Sequence, residues 1–450
     1  MDLVIYVETP PTTSGLFGLV DKERLVKVMN SPRDPRSGER YLHWDKLRHL
    51  EPPSELDSEE WWWRIKMLER EPGMRRLPLA GRDATPFKYN LPDSLLRSLH
   101  HVDQRCGGKV AMDEVVTSDR RAGQRYLVNS LMEEAIRSSQ LEGATTSRHV
   151  AKELLRSGRE PKDRSERMIL NNYRALQFMR NELGGDLSPE AVLELHRIVT
   201  AGTLDDPNAA GRLQRPGEDR VAVYDRDDGR RIHKPPPAEE LPGRLQRLCG
   251  FANEDENSER FVHPVIRATL LHFCLAYDHP FEDGNGRTAR ILFFWSMREQ
   301  GYWLVEYLPI SKILREAPAQ YERAFLETET DEGDTTYFLL HQLQTIERAI
   351  EDLHGYLRRK IGEIKGVEEL IHGADFNHRQ LTLLSDALRH PDSSFSFGGH
   401  AGANRVTHET ARSDLSRLAD RGLLVRRRLG REYLFEPAPD LAERLKESPA

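Results

Sequence analysis

His279-Pro-Phe-Glu-Asp-Gly-Asn-Gly-Arg-Thr-Ala-Arg290 is the stretch that decides how this chain is interpreted. The apolar run before it, from Val265 to Tyr277, has the composition of a helix. The run after it, from Thr288 to Met297, predicts a second helix. The stretch is therefore predicted to be the loop of a helix–loop–helix unit.

The glycines and arginines of this loop predict a phosphate site. Gly284 and Gly286 let the backbone turn tightly, so that its N–H groups point inward where the second helix starts. Such a nest at a helix N-terminus binds anions, and phosphates above all. Arg287 and Arg290 are three residues apart, so they share one helical face and can both reach a polyphosphate.

Two further side chains predict what is done at that site. Asp283 offers a hard oxygen ligand for Mg2+, which usually bridges phosphates and keeps several waters. The imidazole of His279 ordinarily titrates near neutrality, which suits a general base. The sequence thus predicts a nucleotide phosphate site with a base beside it.

The motif resembles the signature of Fic-domain proteins, His-x-Phe-x-Asp/Glu-Gly-Asn-Gly-Arg-x-x-Arg, at every specified position. The resemblance implies a mainly α-helical bundle with a β-hairpin flap. It also implies a protein adenylyltransferase, which moves AMP from ATP to a Ser, Thr or Tyr hydroxyl of a target protein. Transfer of another nucleotide or phosphate-containing group, and removal of AMP, remain alternatives because relatives perform them.

The resemblance also assigns roles to the residues of the motif. His279 would deprotonate the target hydroxyl, and Asp283 would hold Mg2+ against the α- and β-phosphates. Phe281 is expected to anchor the loop in the core. The phosphates themselves are assigned to Gly284, Asn285, Gly286, Arg287 and Arg290, with the two arginines on the β- and γ-phosphates.

A second motif lies upstream of the first. Residues 131–142 predict an amphipathic helix that ends at a glycine cap, Gly143. Its tail, Ser138-x-x-x-Glu142-Gly143, resembles the inhibitory motif of self-restrained Fic proteins. In those proteins the glutamate pairs with the second arginine of the signature, here Arg290, and blocks productive binding of the γ-phosphate. A bidentate pair of this kind occupies donors that the phosphate needs.

The segment from Val221 to His233 predicts a β-hairpin, because a Val-Ala-Val-Tyr strand is followed by a polar turn with Asp228-Gly229 and a second short strand. The resemblance identifies this hairpin as the flap that aligns the target segment by strand addition. An ordinary surface hairpin is the alternative. Arg215 departs by one residue from the usual spacing of the family and is assigned no role.

The chain beyond residue 370 predicts a separate module. A helix over 377–389, a short one over 401–406 and a third after the capping residue Thr407 precede a basic hairpin with Gly430 at its tip. This order resembles a winged helix-turn-helix domain. Phosphate contacts are expected from Arg426, Arg427, Arg428 and Arg431, and groove contacts from Thr410, Ser413 and Arg417. Asp414 and Asp420 dilute that charge, so DNA and protein remain alternative partners.

Composition is that of an ordinary water-soluble protein of 450 residues with a net charge of −7, which argues against a globally nucleic-acid-binding surface. No apolar run approaches the roughly 20 residues that span a bilayer, so no membrane partner is expected. Three scattered cysteines point to a reducing compartment, and the chain is expected to be cytoplasmic.

Three regions are predicted: an irregular one of unknown role over 1–110 that holds a short helix around Trp61–Trp63, a catalytic domain over 111–366 that includes the inhibitory helix, and the winged domain over 370–450. Related proteins often dimerise, so a homodimer is a further expectation. A transcriptional regulator that works through the winged domain is the alternative to an enzyme.

Overall fold

The computed structural model describes residues 6–12, 22–32, 40–53, 56–107, 120–218, 220, 223–224, 231–255, 257–372, 376–389, 393–429 and 432–447. The chain divides into two compact units, Met1–Glu351 and Asp352–Ala450. The domain boundaries predicted at 110 and at 366–370 stay predictions.

The first unit is mainly helical. Its helices are α1 Lys22–Asn30, α2 Trp44–Leu47, α3 Ser58–Arg64, α4 Asp93–Cys106, α5 Arg120–Leu141, α6 Arg148–Ser157, α7 Arg164–Asn181, α8 Pro189–Thr200, α9 Leu241–Ala252, α10 Pro264–Asp278, α11 Asn285–Glu299, α12 Ile310–Glu316, α13 Pro318–Thr330 and α14 Thr336–His372. A π-helix, Ile65–Arg70, continues α3, and short 3-10 turns lie at Glu71–Gly73, Pro207–Ala209, Ala238–Glu240 and Trp303–Tyr307. Two antiparallel hairpins complete it, β1 Arg75–Ala80 with β2 Pro86–Tyr89, and β3 Val223–Tyr224 with β4 Arg231–His233.

The core of this unit is built around the predicted helix–loop–helix. Helices α10 and α11 pack against each other, and α5, α7 and α8 pack around α11. Both central helices are buried along nearly their whole length, so neither shows a single apolar stripe, and the buried residues of α11 include Arg287 and Arg290. The helix start predicted at Ser188 is confirmed, since its side chain accepts from the Ala191 amide and Pro189 occupies the first helical position.

Two predictions about this unit are wrong. The inhibitory helix α5 is not amphipathic, because every residue from Leu131 to Ile136 is buried between α7, α12 and the segment around Tyr307. The amino-terminal region is not irregular: it forms α1 to α4 and the β1–β2 hairpin. Trp61–Trp63 lie in α3 and all three are buried in one cluster with Trp44, so their role is structural.

The second unit contains, besides the rest of α14, the helices α15 His378–Arg389, α16 Phe397–Asn404, α17 His408–Asp420 and α18 Leu441–Glu447, with strands β5 Phe395–Ser396, β6 Leu424–Leu429 and β7 Glu432–Pro437. The strands form an antiparallel sheet in the order β5-β7-β6. The cap at Thr407 is confirmed by its bond from the Thr410 amide. The short second helix begins earlier than predicted, because Ser396 caps it through the Gly399 amide. This order of elements is that of the winged helix-turn-helix, which stays a prediction as a domain assignment.

In the described part of the chain, no helix combines the length and apolarity needed to cross a membrane. Cys106, Cys249 and Cys274 are all buried free thiols, and Cys274 packs in the core of α10 as expected of a structural cysteine.

Candidate active site

The loop between α10 and α11 is closed by one side chain. Asn285 accepts from the amide of Phe281 through Oδ1 and donates to its carbonyl through Nδ2, both at 2.9 Å. The side chain of Phe281 is fully buried, which confirms its predicted role as the anchor. Both polar groups of the Asn285 side chain thus bond within the loop, which leaves its backbone N–H and the second N–H of Nδ2 as donors.

His196 of α8 holds the same loop from the other side, and sequence reasoning missed it. Its ring stacks on Phe281 with centroids 3.8 Å apart and an angle of 6° between the rings. Nδ1 accepts from the Gly211 amide at 3.0 Å, so Nε2 carries the proton and donates to the Asp283 carbonyl at 2.9 Å. Burial lowers the pKa of His196 to about 4 and keeps the ring neutral. In the sequence it is one histidine on an apolar helix face, which usually indicates core packing.

The two glycines of the loop have different structural roles. Gly284 caps α11 with φ at 84°, the left-handed conformation that favours glycine. Gly286 has no such strain and lies in the first turn of α11. A Cβ atom on Gly286 would stand 2.2 Å from Oε1 of Glu142, so the absence of a side chain there allows the glutamate its close approach. The prediction that both glycines serve the tight turn is therefore wrong for Gly286.

His279 ends α10 in the left-handed conformation, with φ at 45° and ψ at 53°. Its Nδ1 faces the Ala276 carbonyl at 3.3 Å, and because a carbonyl only accepts, Nδ1 carries the proton and Nε2 is the basic nitrogen. Burial, assisted by the nearby His233, lowers the pKa of His279 to about 4. The residue is thus held as a neutral base, in a backbone conformation that a non-glycine residue seldom adopts.

Asp283 keeps its carboxylate at the mouth of the loop, with 34% of the side chain exposed. Oδ1 accepts from the Gly284 amide and from Arg287, while Oδ2 lies 3.5 Å from the guanidinium of Arg164. No three His, Cys, Asp or Glu side chains of the described ranges gather as a metal-binding group. A lone, accessible carboxylate fits Mg2+ that is held mainly by phosphate and water oxygens.

The two motif arginines are both buried, and each has its own partners. Arg287 Nη1 donates to the Val199 carbonyl and Nη2 to Asp283, both at 3.3 Å. Arg290 donates through Nε to Ser138 Oγ at 2.9 Å. One nitrogen of each guanidinium, Nε of Arg287 and Nη1 of Arg290, is buried without a hydrogen-bond partner. Buried donors that lack an acceptor carry a free-energy cost that an anionic ligand relieves.

The upstream motif meets the second arginine. Glu142 Oε1 accepts from Arg290 Nη2 at 2.8 Å, and the Ser138 carbonyl accepts from the same nitrogen at 3.1 Å. Gly143 follows the end of α5 with φ at 99°, which lets the chain turn away directly after Glu142. The pair that the resemblance implies between Glu142 and Arg290 is therefore present.

Comparison with known proteins agrees with this geometry. Residues 186–297, which hold α8 to α11, match the Fic/DOC family. This part of the chain is similar to a Fic domain. It is similar to protein adenylyltransferase fic-1 of Caenorhabditis elegans, with 25% identity over 242 residues, 53% of this chain and 44% of the relative. It is also similar to protein adenylyltransferase Fic of Drosophila mojavensis, with 27% identity over 276 residues, 61% of this chain and 50% of the relative.

The chain thus spans about half the length of the curated relatives it matches. Among solved structures, a Fic family protein from Desulfovibrio desulfuricans G20 aligns with a TM-score of 0.50 and 17% identity, covering 76% of this chain and 94% of that one. At that identity the likeness concerns the fold, which is the mainly helical Fic fold that the resemblance predicted.

The hairpin predicted as a flap is present. Strands β3 and β4 pair antiparallel, with Val223 opposite His233 and Tyr224 opposite Arg231. The predicted turn with Asp228-Gly229 lies outside the described residues. Alignment of a target by this hairpin stays a prediction.

The second unit, Asp352–Ala450, departs from one expectation. Asp414, predicted to dilute its positive charge, is buried and accepts hydrogen bonds from Arg379 and Asn377 at 2.8 and 2.7 Å. Its charge is therefore neutralised inside the unit. The side chains of Ser413, Arg417, Arg426, Arg427 and Arg428 are exposed, Thr410 is half-buried, and Gly430 and Arg431 lie outside the described residues.

Proposed function

We propose that this protein is an adenylyltransferase that moves AMP from Mg-ATP to a hydroxyl side chain of a target protein, and that Glu142 restrains it. The observation that carries the proposal is the position of the Glu142 carboxylate. It lies against Gly286 in the first turn of α11 and accepts from Arg290. A helix N-terminus beside a guanidinium forms an anion-binding site, so a carboxylate there occupies the position of a phosphate group.

The other residues of the loop support a transfer to a hydroxyl. Nε2 of His279 takes the proton of the hydroxyl while its oxygen attacks the α-phosphorus of ATP. The bond to pyrophosphate breaks, and AMP stays on the target as an ester. Arg287 and Arg290 supply positive charge to the β- and γ-phosphates, and the amides of Asn285 and Gly286 supply donors, since the Gly284 amide already donates to Asp283.

Mg2+ would be held by Asp283 together with phosphate oxygens, and it would neutralise phosphate charge. His196 fixes the carbonyl of the same aspartate, so the carboxylate is offered from a rigid loop. The restraint is proposed to act within one chain, since Ser138, Glu142 and Gly143 precede the catalytic loop in the same compact unit.

The test is incubation of the purified full chain with labelled ATP, CTP, GTP and UTP, followed by mass spectrometry of every labelled residue. Adenylyl transfer predicts an adduct of AMP mass from ATP that the His279→Ala variant does not form. A different nucleotide adduct would identify one of the alternative transfer reactions. Loss of AMP from a modified target, without any transfer to it, would identify the removal reaction instead.

A second candidate function belongs to the winged unit. Since Asp414 is buried against Arg379, the exposed arginines Arg426 and Arg428 are not diluted by it, which favours binding to DNA phosphates. Duplex binding should then fall when both arginines are replaced by glutamate, and should survive His279→Ala. The measurement is fluorescence anisotropy with a labelled duplex at several salt concentrations, because phosphate contacts make affinity strongly salt-dependent. Dimer formation and a cytoplasmic location stay proposals beside these.

A further inference from the structure

We propose that Arg220 and His233, at the two ends of the flap, form a clamp that fixes the flap on the helix end that carries His279. The inference rests on the proposed function for its catalytic consequence. Its structural part stands on contacts that the signature motif does not include.

Arg220 precedes the first flap strand and donates to three oxygen atoms. Nη2 donates to the carbonyl of Asp278 at 2.7 Å, and Nε to the carbonyl of Pro236 at 2.8 Å. Nη1 donates to Oε1 of Gln214. One guanidinium therefore joins the entrance of the flap, the chain just after its exit and the end of α10.

His233 ends the second flap strand and is buried. Nε2 lies 2.7 Å from the carbonyl of Tyr277, and Nδ1 lies 2.9 Å from Oε2 of Glu329. A carbonyl only accepts, so Nε2 of the ring donates to that of Tyr277. The ring also lies against the Tyr277 ring, with centroids 4.7 Å apart.

The two anchors meet α10 at consecutive carbonyls, those of Tyr277 and Asp278, which directly precede His279. The last carbonyls of a helix lack partners within the helix and carry the negative end of its dipole, so cationic donors are favoured there. Each end of the flap thus supplies one hydrogen-bond donor, Arg220 or His233, to the helix end from which the proposed base projects.

This placement sets the register between the flap and His279. Residues of a strand advance by about 3.3 Å, whereas a base must lie within about 2.6–3.2 Å of the proton carrier. A slip of the flap by one residue would therefore move an acceptor hydroxyl aligned on it out of reach. Arg220 and His233 are positioning residues in this scheme, since neither contacts a reacting atom.

The test uses the full chain carrying Glu142→Gly, with Arg220→Ala or His233→Ala added. Lys234→Ala is the matched control, since Lys234 is the exposed cation beside His233. Arg220→Lys and His233→Gln, which each keep one donor, should restore part of the loss. The readouts are deuterium exchange of peptides within 220–237, the dissociation constant of MgATP by calorimetry, and the rate of self-labelling with labelled ATP.

We expect both alanine variants to speed exchange of the flap and to lower self-labelling at saturating ATP at least tenfold, with MgATP affinity within twofold of the parent. Exchange equal to that of Lys234→Ala would overturn the clamp. Faster exchange with labelling at the rate of Lys234→Ala would overturn the positioning role. If the Glu142→Gly parent labels nothing with ATP, the proposed function fails, and the clamp is judged by deuterium exchange alone. Faster exchange of the flap in both alanine variants would then support the clamp, and unchanged exchange would refute it.

Discussion

Glu142 reaches so close to Gly286 that a Cβ atom on the glycine would stand 2.2 Å from Oε1 of the glutamate. This contact joins the end of α5 to the first turn of α11, and a side chain at 286 would fit only if the Glu142 carboxylate moved. The same carboxylate oxygen lies 2.8 Å from Nη2 of Arg290. One side chain thus covers both the backbone and the guanidinium to which a phosphate group would be expected to bind.

Replacement of Gly286 by alanine should remove both contacts of Glu142. The new methyl group would displace the glutamate, whose flexible end can move at small cost, and so would break the Glu142–Arg290 pair. The methyl would also occupy the space needed by a phosphate at the helix N-terminus. We therefore expect Gly286→Ala to remain inactive and to bind MgATP at least tenfold more weakly than Glu142→Gly, as measured by calorimetry. Labelling as fast as in Glu142→Gly would contradict the proposed phosphate position.

Glu142→Gly should raise labelling of the protein and of any target. A charge-assisted hydrogen bond contributes ~1.5–3 kcal/mol, so removing the competitor should increase the productive population roughly 10- to 100-fold. Arg290→Ala is the control, because it removes both the restraint and the phosphate contact and should not activate. Rates at fixed Mg2+ and several ATP concentrations measure the effect. If Glu142→Gly labels no faster than the parent at any ATP concentration, the inhibitory interpretation of Ser138 to Gly143 is wrong.

His279→Ala should lower the rate of transfer by ~10²–10⁴-fold while MgATP binding is kept, as expected for loss of a general base. Kinetics at saturating ATP combined with calorimetry separate these two effects.

The low pKa of His279, about 4, gives this base a distinct pH dependence. The imidazole is neutral above that value, so the rate should stay nearly constant from pH 8 to pH 6 and fall as the pH approaches 4. The measurement is the rate of transfer across that range at saturating MgATP. A decline centred near pH 6.5 would indicate instead a base exposed to solvent.

His196→Ala should weaken the loop rather than the chemistry. It leaves a cavity against Phe281 and breaks the bonds to Gly211 and Asp283, so we expect a loss of roughly 2–4 kcal/mol in the free energy of unfolding. His196→Phe is the matched variant, since it keeps the stacking and loses both hydrogen bonds. Urea unfolding gives the stability, and calorimetry gives the accompanying loss of Mg2+-dependent ATP binding. MgATP affinity equal to that of the parent in both variants would show that the loop does not depend on His196.

The signature motif predicted the helix–loop–helix that holds its residues, because that geometry is local, whereas the roles of those residues stay predictions. The pair between Glu142 and Arg290 was available only through the resemblance, since no local rule joins residues 148 positions apart. His196 was missed for a physical reason. A neutral, buried histidine on an apolar face has the same pattern in sequence whether it packs or holds a loop.

The charge exposed on the surface could also not be predicted from the sequence. Sequence gives the number of charged residues but not which of them is buried beside a partner. Asp414 was counted against a positive surface, yet 4% of it is exposed and Arg379 neutralises it. The amino-terminal hairpin was missed because its strands, Arg75–Ala80 and Pro86–Tyr89, are short and carry prolines.

The Asp414 carboxylate should stabilise the second unit. Burial by itself raises the pKa of this carboxyl, but hydrogen bonds from Arg379, Asn377 and His400 outweigh it and hold the pKa below its usual value. A lowered folded pKa contributes stability that is present above the unfolded pKa of about 3.9 and is lost as the pH falls through the lower folded value. At neutral pH the contribution is therefore complete, and removing the carboxylate there should reveal all of it.

Asp414→Ala leaves Arg379 without its acceptor and should cost about 2 kcal/mol, since one partner of the pair is partly exposed. In the full chain this should appear as deuterium exchange of peptides within 408–420 that is roughly 30-fold faster at pH 7. Asp420→Ala is the control, an exposed carboxylate on the same helix, and should leave exchange unchanged. Equal exchange in the two variants would contradict this prediction. It would mean that the hydrogen bonds of Asp414 only offset the cost of burying its carboxylate, so that the pair contributes no net stability.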